Sequence, residues 1–168
     1  NAEKILVAQK NNISQGDNRY ILEKLAYIYS IQNKEEKLKE VTNNLLNLYP
    51  DFYAGYYWQG YISFYNNNFK YSIDLLYKSL SKLKKSVIKN NFFEAEIYAL
   101  LSSCYNILGQ YELSFKYFEH GEKINKDLLH LDLNTIVGMV FSCIELKKYK
   151  RAAEVLQYSK QINLDIVN

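Results

Sequence analysis

The chain has 168 residues, enough for one domain or one compact array of repeats, and a formal net charge of +3. Such a weak charge, without a stripe of lysine and arginine, argues against nucleic-acid binding. No apolar run approaches the ~18 residues that a membrane span needs. The single proline and six glycines argue against a β-rich fold.

The two cysteines, Cys104 and Cys143, fall on the predicted buried sides of helices. A free buried cysteine behaves as a small hydrophobe, and their spacing matches neither a disulfide framework nor a zinc site. We therefore expect a cytoplasmic protein without a metal or another cofactor. The chain begins at Asn1 and Ala2 without a methionine, which is typical of a tag-cleavage scar. We expect it to be a fragment of a longer protein.

Apolar residues recur at steps of three and four along almost the whole chain, which predicts helices throughout. Residues 3–14 predict a leading helix. Short turn signals then follow at Gln32–Asn33, Asn66–Asn67–Asn68, Gly109–Gln110 and Lys147–Lys148. Asparagine and glycine end helices and tolerate left-handed backbone. Four helical hairpins are therefore predicted, near residues 19–52, 53–86, 95–128 and 133–166.

The predicted hairpins share one frame. The residues near the middle of the first helices are Ala26, Gly60, Ser102 and Val140, separated by 34, 42 and 38 residues. The residues that follow the turns keep the same steps: Glu35, Phe69, Tyr111 and Tyr149. Stacked pairs of helices produce such a repeat. The two longer steps place extra residues in Ser81–Phe92 and Asn125–Asp132, where we expect second helices to run on.

The pattern is clearest in the third hairpin: Leu101, Ser102, Cys104, Tyr105, Leu108, Gly109, Gln110, Tyr111, Ser114, Phe118 and Gly121. These residues resemble the tetratricopeptide repeat (TPR) family, and the resemblance covers residues 19–162. Leu38 and Val140 depart from it, being larger than the family prefers. The resemblance implies an all-α fold, a right-handed superhelix of helix hairpins, with residues 1–168 forming one repeat domain.

The resemblance also implies that the first helices line a concave groove. Residues four apart on a helix share a face, which predicts a ligand-binding surface of Tyr27, Tyr57, Tyr61, Phe64, Ser103, Asn106 and Phe141. Clustered exposed aromatic residues are typical of contact sites, and tyrosine is enriched at binding hot spots. The same tyrosines also fit simple packing between neighbouring first helices. Our leading hypothesis is a scaffold that binds a protein or peptide.

Two further hypotheses stay open. The lengthened repeats are similar to the sensor arrays of bacterial transcription regulators and response-regulator phosphatases, which would make the chain a peptide-sensing regulatory domain. Leu164, Ile166 and Val167 lie beyond the last predicted repeat position, so a homodimer through the C-terminal end is also consistent with the sequence. A free acidic C-terminus is disfavoured as a ligand, because the positions of the family's cationic clamp hold Glu23, Tyr27, Tyr57 and Tyr61.

Catalysis finds little support in the sequence. The two histidines, His120 and His130, fall near a helix end and in a loop. No glycine-rich phosphate loop, paired carboxylate motif or Ser/His/Asp arrangement is present. We expect a non-enzymatic protein.

Overall fold

The computed structural model describes residues 3–5, 7, 18–127 and 133–167, with side chains up to Gln161. Within these residues there is no strand, and the all-α prediction is confirmed. Residues 3–5 and 7 are helical; the rest of the predicted helix 3–14 lies outside the described residues. The helices are α1 (Arg19–Ile31), α2 (Glu35–Leu48), α3 (Tyr53–Tyr65), α4 (Phe69–Lys85), α5 (Asn91–Ile107), α6 (Tyr111–Ile124), α7 (Leu133–Glu145) and α8 (Tyr149–Val167).

The four predicted turns join these helices into four hairpins of one construction. One residue in each turn has a left-handed backbone: Asn33 (φ 52°), Asn67 (φ 60°), Gly109 (φ 71°) and Lys147 (φ 58°). In each turn the next residue donates its amide to a carbonyl five residues back, as Lys34 does to Tyr29 at 2.9 Å. This bond satisfies one of the carbonyls that a helix end leaves unpaired. The predicted hairpin frame is confirmed.

The chain divides into two compact units, residues 1–86 and 87–168, each with two hairpins. In unit 1, α3 packs on its hairpin partner α4 and on both helices of the preceding hairpin. In unit 2, α7 occupies the equivalent place against α5, α6 and α8. The first helix of the second hairpin therefore forms the centre of each unit. That residues 1–168 form a single domain stays a prediction.

The largest buried side chain of unit 1 is Trp58, and Leu22, Leu25, Leu45 and Leu76 are buried in the same unit. Gly60 allows α3 to approach α4 closely, because a Cβ atom there would lie 3.2 Å from Leu76 Cδ2. At the same crossing, Ser72 Oγ donates a hydrogen bond to the Gly60 carbonyl at 2.8 Å. The predicted contact between Gly60 and its own hairpin is confirmed.

Unit 2 has a continuous apolar core formed by Ala95, Phe118, Ile136, Met139, Cys143, Ala152 and Val155. Val140, larger than the TPR pattern prefers, is only partly buried against this core. At the α5–α6 crossing, Ser102 Oγ donates to the Ser114 carbonyl at 2.8 Å. Ser102 thus lies against its own hairpin partner, as predicted.

The two insertions are accommodated differently. α4 ends at Lys85, three residues longer than α2, which confirms that this second helix runs on. α5 also lengthens: it begins at Asn91, four residues before the predicted start of the third repeat. α6, in contrast, ends at Ile124 with the same 14 residues as α2, so the prediction that it runs on is wrong. Asn125 takes an extended backbone there and ends the helix.

Candidate protein-binding surfaces

The four candidate residues of unit 1 divide between surface and core. Tyr27 on α1 is 42% exposed, and Tyr61 and Phe64 on α3 are half-buried. Tyr57 is only 3% exposed, and its ring centroid lies 4.9 Å from that of Trp58. The structure therefore places Tyr57 in the core, in agreement with the packing alternative for this residue. The exposed face of unit 1 is smaller than the sequence suggested.

Glu23, which holds one of the clamp positions named in the sequence analysis, is turned into the packing of α1 on α3. Glu23 is 1% exposed, and its carboxylate accepts a hydrogen bond from the Tyr53 hydroxyl at 2.8 Å. Lys24 Nζ lies 3.4 Å from the other carboxylate oxygen. Burial raises the pKa of Glu23 above its ordinary value, although the Tyr53 bond and Lys24 act in the opposite direction. Glu23 therefore connects α1 to α3 through a buried hydrogen bond and is not exposed to a ligand.

A cavity of about 270 Å³ opens in unit 1 between the first turn and the C-terminal half of α3. Its base is formed by the buried residues Tyr29, Leu38 and Ile62. The rings of Tyr61 and Tyr65 form one wall, with their centroids 4.6 Å apart. No local sequence pattern reveals this cavity, because its base and wall come from residues that lie 23–36 positions apart in the chain.

In unit 2, Asn106 and Ser103 are engaged within the fold. Asn106 Nδ2 donates to the Gly138 carbonyl and to Ser142 Oγ, both at 2.8 Å, which joins α5 to α7. Ser103 Oγ donates to the carbonyl of Ala99 on its own helix at 3.1 Å. Both side chains are half-buried. Asn106 therefore connects two helices of the fold.

The Asn106 bonds belong to a buried polar network that connects three helices. Ser142 Oγ on α7 donates to Ser114 Oγ on α6 at 2.9 Å, and Ser114 Oγ lies 3.2 Å from Ser102 Oγ on α5. Buried hydroxyl groups that bond one another avoid the cost of unsatisfied polar atoms. The sequence held one signal, since Ser102 and Ser114 are 12 residues apart, like Gly60 and Ser72 in unit 1.

The last candidate, Phe141, belongs to an apolar stripe along α7. Its members recur every three or four residues and are exposed: Leu133 (70%), Val137 (59%), Phe141 (47%) and Ile144 (46%). This spacing places them on one face of the helix. The ring centroid of Phe141 lies 5.7 Å from that of Tyr111 at the start of α6. Of this stripe, only Phe141 is among the candidate residues predicted from the sequence.

The remaining candidate groups are the histidines, possible metal ligands and the apolar residues near the C-terminus. His120 is exposed on α6, with the Tyr98 ring centroid 5.5 Å from its own, and His130 lies outside the described residues. In the part of the chain that the structure describes, no three His, Cys, Asp or Glu residues are grouped to hold a metal ion. Neither is any described helix both long and apolar enough to span a membrane. The side chains of Leu164, Ile166 and Val167 lie outside the described residues.

No family model matches the chain, and no curated protein matches it in sequence. Among solved structures, it is similar to a crystal structure of MamA, with a TM-score of 0.64 and 16% identity over 99% of this chain and 86% of that chain. It is similar to MamA 41-end from Desulfovibrio magneticus RS-1, with a TM-score of 0.61 and 14% identity over 88% and 76%. It is also similar to TPR-like repeats of a putative kinesin light chain from Podosopora anserina, with a TM-score of 0.52 and 14% identity over 98% and 85%.

These likenesses, at 16% identity or less, show the fold. The chain has a TPR-like helical repeat fold, which confirms the resemblance found in its sequence.

Proposed function

We propose that the chain is a non-catalytic protein-binding module that holds an apolar polypeptide segment against the exposed faces of its first helices. The observation that carries this proposal is the apolar stripe of α7. Surface helices usually turn polar residues outward. α7 instead buries Ile136 and Met139 on one side and exposes Val137 and Phe141 on the other. A face of this kind is typical of a contact site.

The energetics favour covering this stripe. Removing a large apolar side chain from water stabilises the covered state by about 1.5–3 kcal/mol when burial is complete. Val137, Phe141 and Ile144 lie about half exposed on successive turns of one helix, so a partner's apolar side chains could cover them together. The role suits α7 in particular, because its exposed apolar residues lie on one face of a single helix.

Unit 1 supports the same proposal with tyrosine. Tyr27 on α1 and Tyr65 on α3 are exposed residues of first helices. A tyrosine ring supplies a large contact area with a polar tip, at a low cost in conformational entropy.

The experiment is a selection of phage-displayed random 12-residue peptides that bind the chain. The selected peptides are then synthesised and their binding is measured by calorimetric titration. We expect Phe141→Ser to weaken binding at least tenfold, which corresponds to about 1.4 kcal/mol. Leu156→Ser is the matched control, since Leu156 is 52% exposed but lies on the second helix α8. Peptides that bind Phe141→Ser as well as the wild type, or that lose binding only in the control, would contradict the proposal.

Tyr61→Ala tests the unit 1 face with the same peptides. We expect a loss of about 1–3 kcal/mol for peptides that reach this face, the usual range of a hot-spot residue. Because Tyr61 is half-buried, circular dichroism must show an unchanged fold. Light scattering across concentrations examines self-association: a dimer abolished by Phe141→Ser would make a second copy of the chain the occupant of the stripe.

A further inference from the structure

The cavity of unit 1 has the size of one side chain. Its volume of about 270 Å³ lies below the ~300–1,000 Å³ typical of sites for drug-sized ligands and cofactors. Tyr29, Leu38 and Ile62 close its base and are themselves buried. A large apolar side chain inserted there would bury part of its surface against these three residues.

The charges at the cavity are already neutralised by partners from the chain. Lys34 Nζ lies 2.7 Å from Glu3 Oε2, and Glu35 Oε1 lies 2.7 Å from Lys39 Nζ. A charged ligand would lose hydration on entry and find both counter-charges engaged. The electrostatics therefore favour an uncharged side chain over lysine, arginine, aspartate or glutamate.

The rim offers polar groups suited to a polypeptide backbone. Asn33 and Asn66 flank the opening, and each amide side chain has both donors and an acceptor. The backbone of Asn33 is held in the left-handed turn by its amide, which donates to the Ser30 carbonyl at 3.2 Å. A rim fixed in this way is ordered before a ligand arrives, which lowers the cost of binding.

We infer that this cavity anchors one uncharged apolar side chain of a bound polypeptide, with phenylalanine or leucine as the fitting residue, while Asn33 and Asn66 hydrogen-bond to the flanking peptide groups. The inference rests on the proposed function and assigns it a specificity pocket. The Tyr61 and Tyr65 rings supply the wall against which the side chain packs.

The test uses amino-acid amides as probes: the N-acetyl amides of phenylalanine, leucine, lysine and glutamate, each titrated into the ¹⁵N-labelled chain. We expect the phenylalanine and leucine probes to shift the amide signals of Asn33, Tyr65 and Asn66 with Kd values of the order of millimolar. The lysine and glutamate probes should leave these signals unchanged at equal concentration. Equal shifts from the charged probes, or none from the apolar ones up to about 50 mM, a range chosen to exceed a millimolar Kd, would overturn the inference.

Variants locate the binding. Tyr65→Ala removes one wall and should weaken the phenylalanine probe at least tenfold, whereas Tyr65→Phe should retain it. Tyr71→Ala is the matched control, because Tyr71 and Tyr65 are exposed to 54% and 58% but lie on α4 and α3. Undiminished binding to Tyr65→Ala would place the probe elsewhere and refute the assignment. The amide probes report on unit 1 and Phe141→Ser on unit 2, so a failed anchor is distinguished from a failed stripe.

Discussion

The two units repeat one hairpin frame but join their helices by different means. Both units bury large aromatic residues, but in unit 1 buried serine hydroxyls bond to backbone carbonyls: Ser72 Oγ donates to Gly60 at 2.8 Å and Ser79 Oγ donates to Tyr53 at 2.9 Å. In unit 2, three serine hydroxyls and the Asn106 amide connect α5, α6 and α7 through hydrogen bonds within the core.

The difference shows that the hairpin frame fixes the distance between crossing helices but allows different residue types at the crossing. At the α3–α4 crossing, Gly60 removes a side chain so that Leu76 can approach. At the α5–α6 crossing, two small hydroxyl side chains fill the same place and bond each other. Either solution brings two helices together, provided that the crossing residues are small and no buried polar atom is left unsatisfied. Substitutions at equivalent places should therefore have different effects in the two units.

The largest losses of stability are expected from truncating the large buried side chains, and these losses should be similar in the two units. Trp58→Ala and Phe118→Ala each remove a fully buried aromatic side chain and should cost about 3–5 kcal/mol. Urea unfolding followed by circular dichroism measures both. Alkylation of the buried thiols of Cys104 and Cys143 reports on the unfolding of unit 2. In Phe118→Ala, the fluorescence of Trp58 reports on the unfolding of unit 1. Tyr71→Ala and Tyr149→Ala, at exposed sites, should stay within about 0.5 kcal/mol of the wild type.

Loss of a buried hydroxyl group should reduce the free energy of unfolding more in unit 2 than in unit 1. Ser114→Ala removes the acceptor of the Ser142 bond inside the network of unit 2 and should cost about 1–3 kcal/mol, because buried partners are left unsatisfied. Ser72→Ala in unit 1 removes one bond to the Gly60 carbonyl and should cost about 0.5–1.5 kcal/mol. Urea unfolding of the two variants measures the difference. If Ser72→Ala proves the more damaging, the network has no special role in unit 2.

Alanine substitutions of Gly60 and Gly138 compare how closely helices approach each other in the two units. In Gly60→Ala the new Cβ would meet Leu76 at 3.2 Å, so the cost of overpacking exceeds the gain in helix propensity. We expect a net loss of about 1 kcal/mol in unit 1. In Gly138→Ala the nearest atom is Asn106 Cγ at 3.5 Å, an ordinary contact, so we expect a gain of up to ~1 kcal/mol from propensity alone. Stabilities measured by urea titration that rank the two variants in the opposite order would contradict this account.

The smallest effect concerns pH and belongs to unit 1. Since the pKa of Glu23 is raised in the folded state, the folded chain binds more protons than the unfolded chain as the carboxyl titrates. The free energy of unfolding should therefore fall as pH rises from the ordinary glutamate pKa to the raised one. Glu23→Gln keeps an acceptor for the Tyr53 hydroxyl and should remove this part of the pH dependence. Trp58 fluorescence in urea at several pH values measures it; an unchanged slope in Glu23→Gln would show that another group titrates.

Much of the fold could be predicted from the sequence because it depends on local chemistry. Asparagine and glycine accept left-handed backbone at the turns, and Gly60 and Ser102 are small where helices cross. The end of α6 was not predictable in this way. The apolar periodicity runs on past Ile124, but the extended backbone of Asn125 ends the helix there.

The candidate surface was predicted less well, because helical periodicity assigns a residue to a face and does not show what covers that face. Glu23, Tyr57 and Val137 hold equivalent positions in their hairpins, yet Glu23 and Tyr57 are buried and Val137 is exposed. For Glu23 the reason is the Tyr53 hydroxyl reaching across from α3.

The amino-acid sequence by itself determined the hairpins, their spacing and the apolar face of α7, since turn chemistry and helical periodicity act between near neighbours in the chain. Only the tertiary structure decided which face stays open to solvent, where the cavity of unit 1 lies and how the serines of unit 2 bond. Those outcomes depend on side chains 12 to 36 residues apart, whose contacts form only when the helices pack.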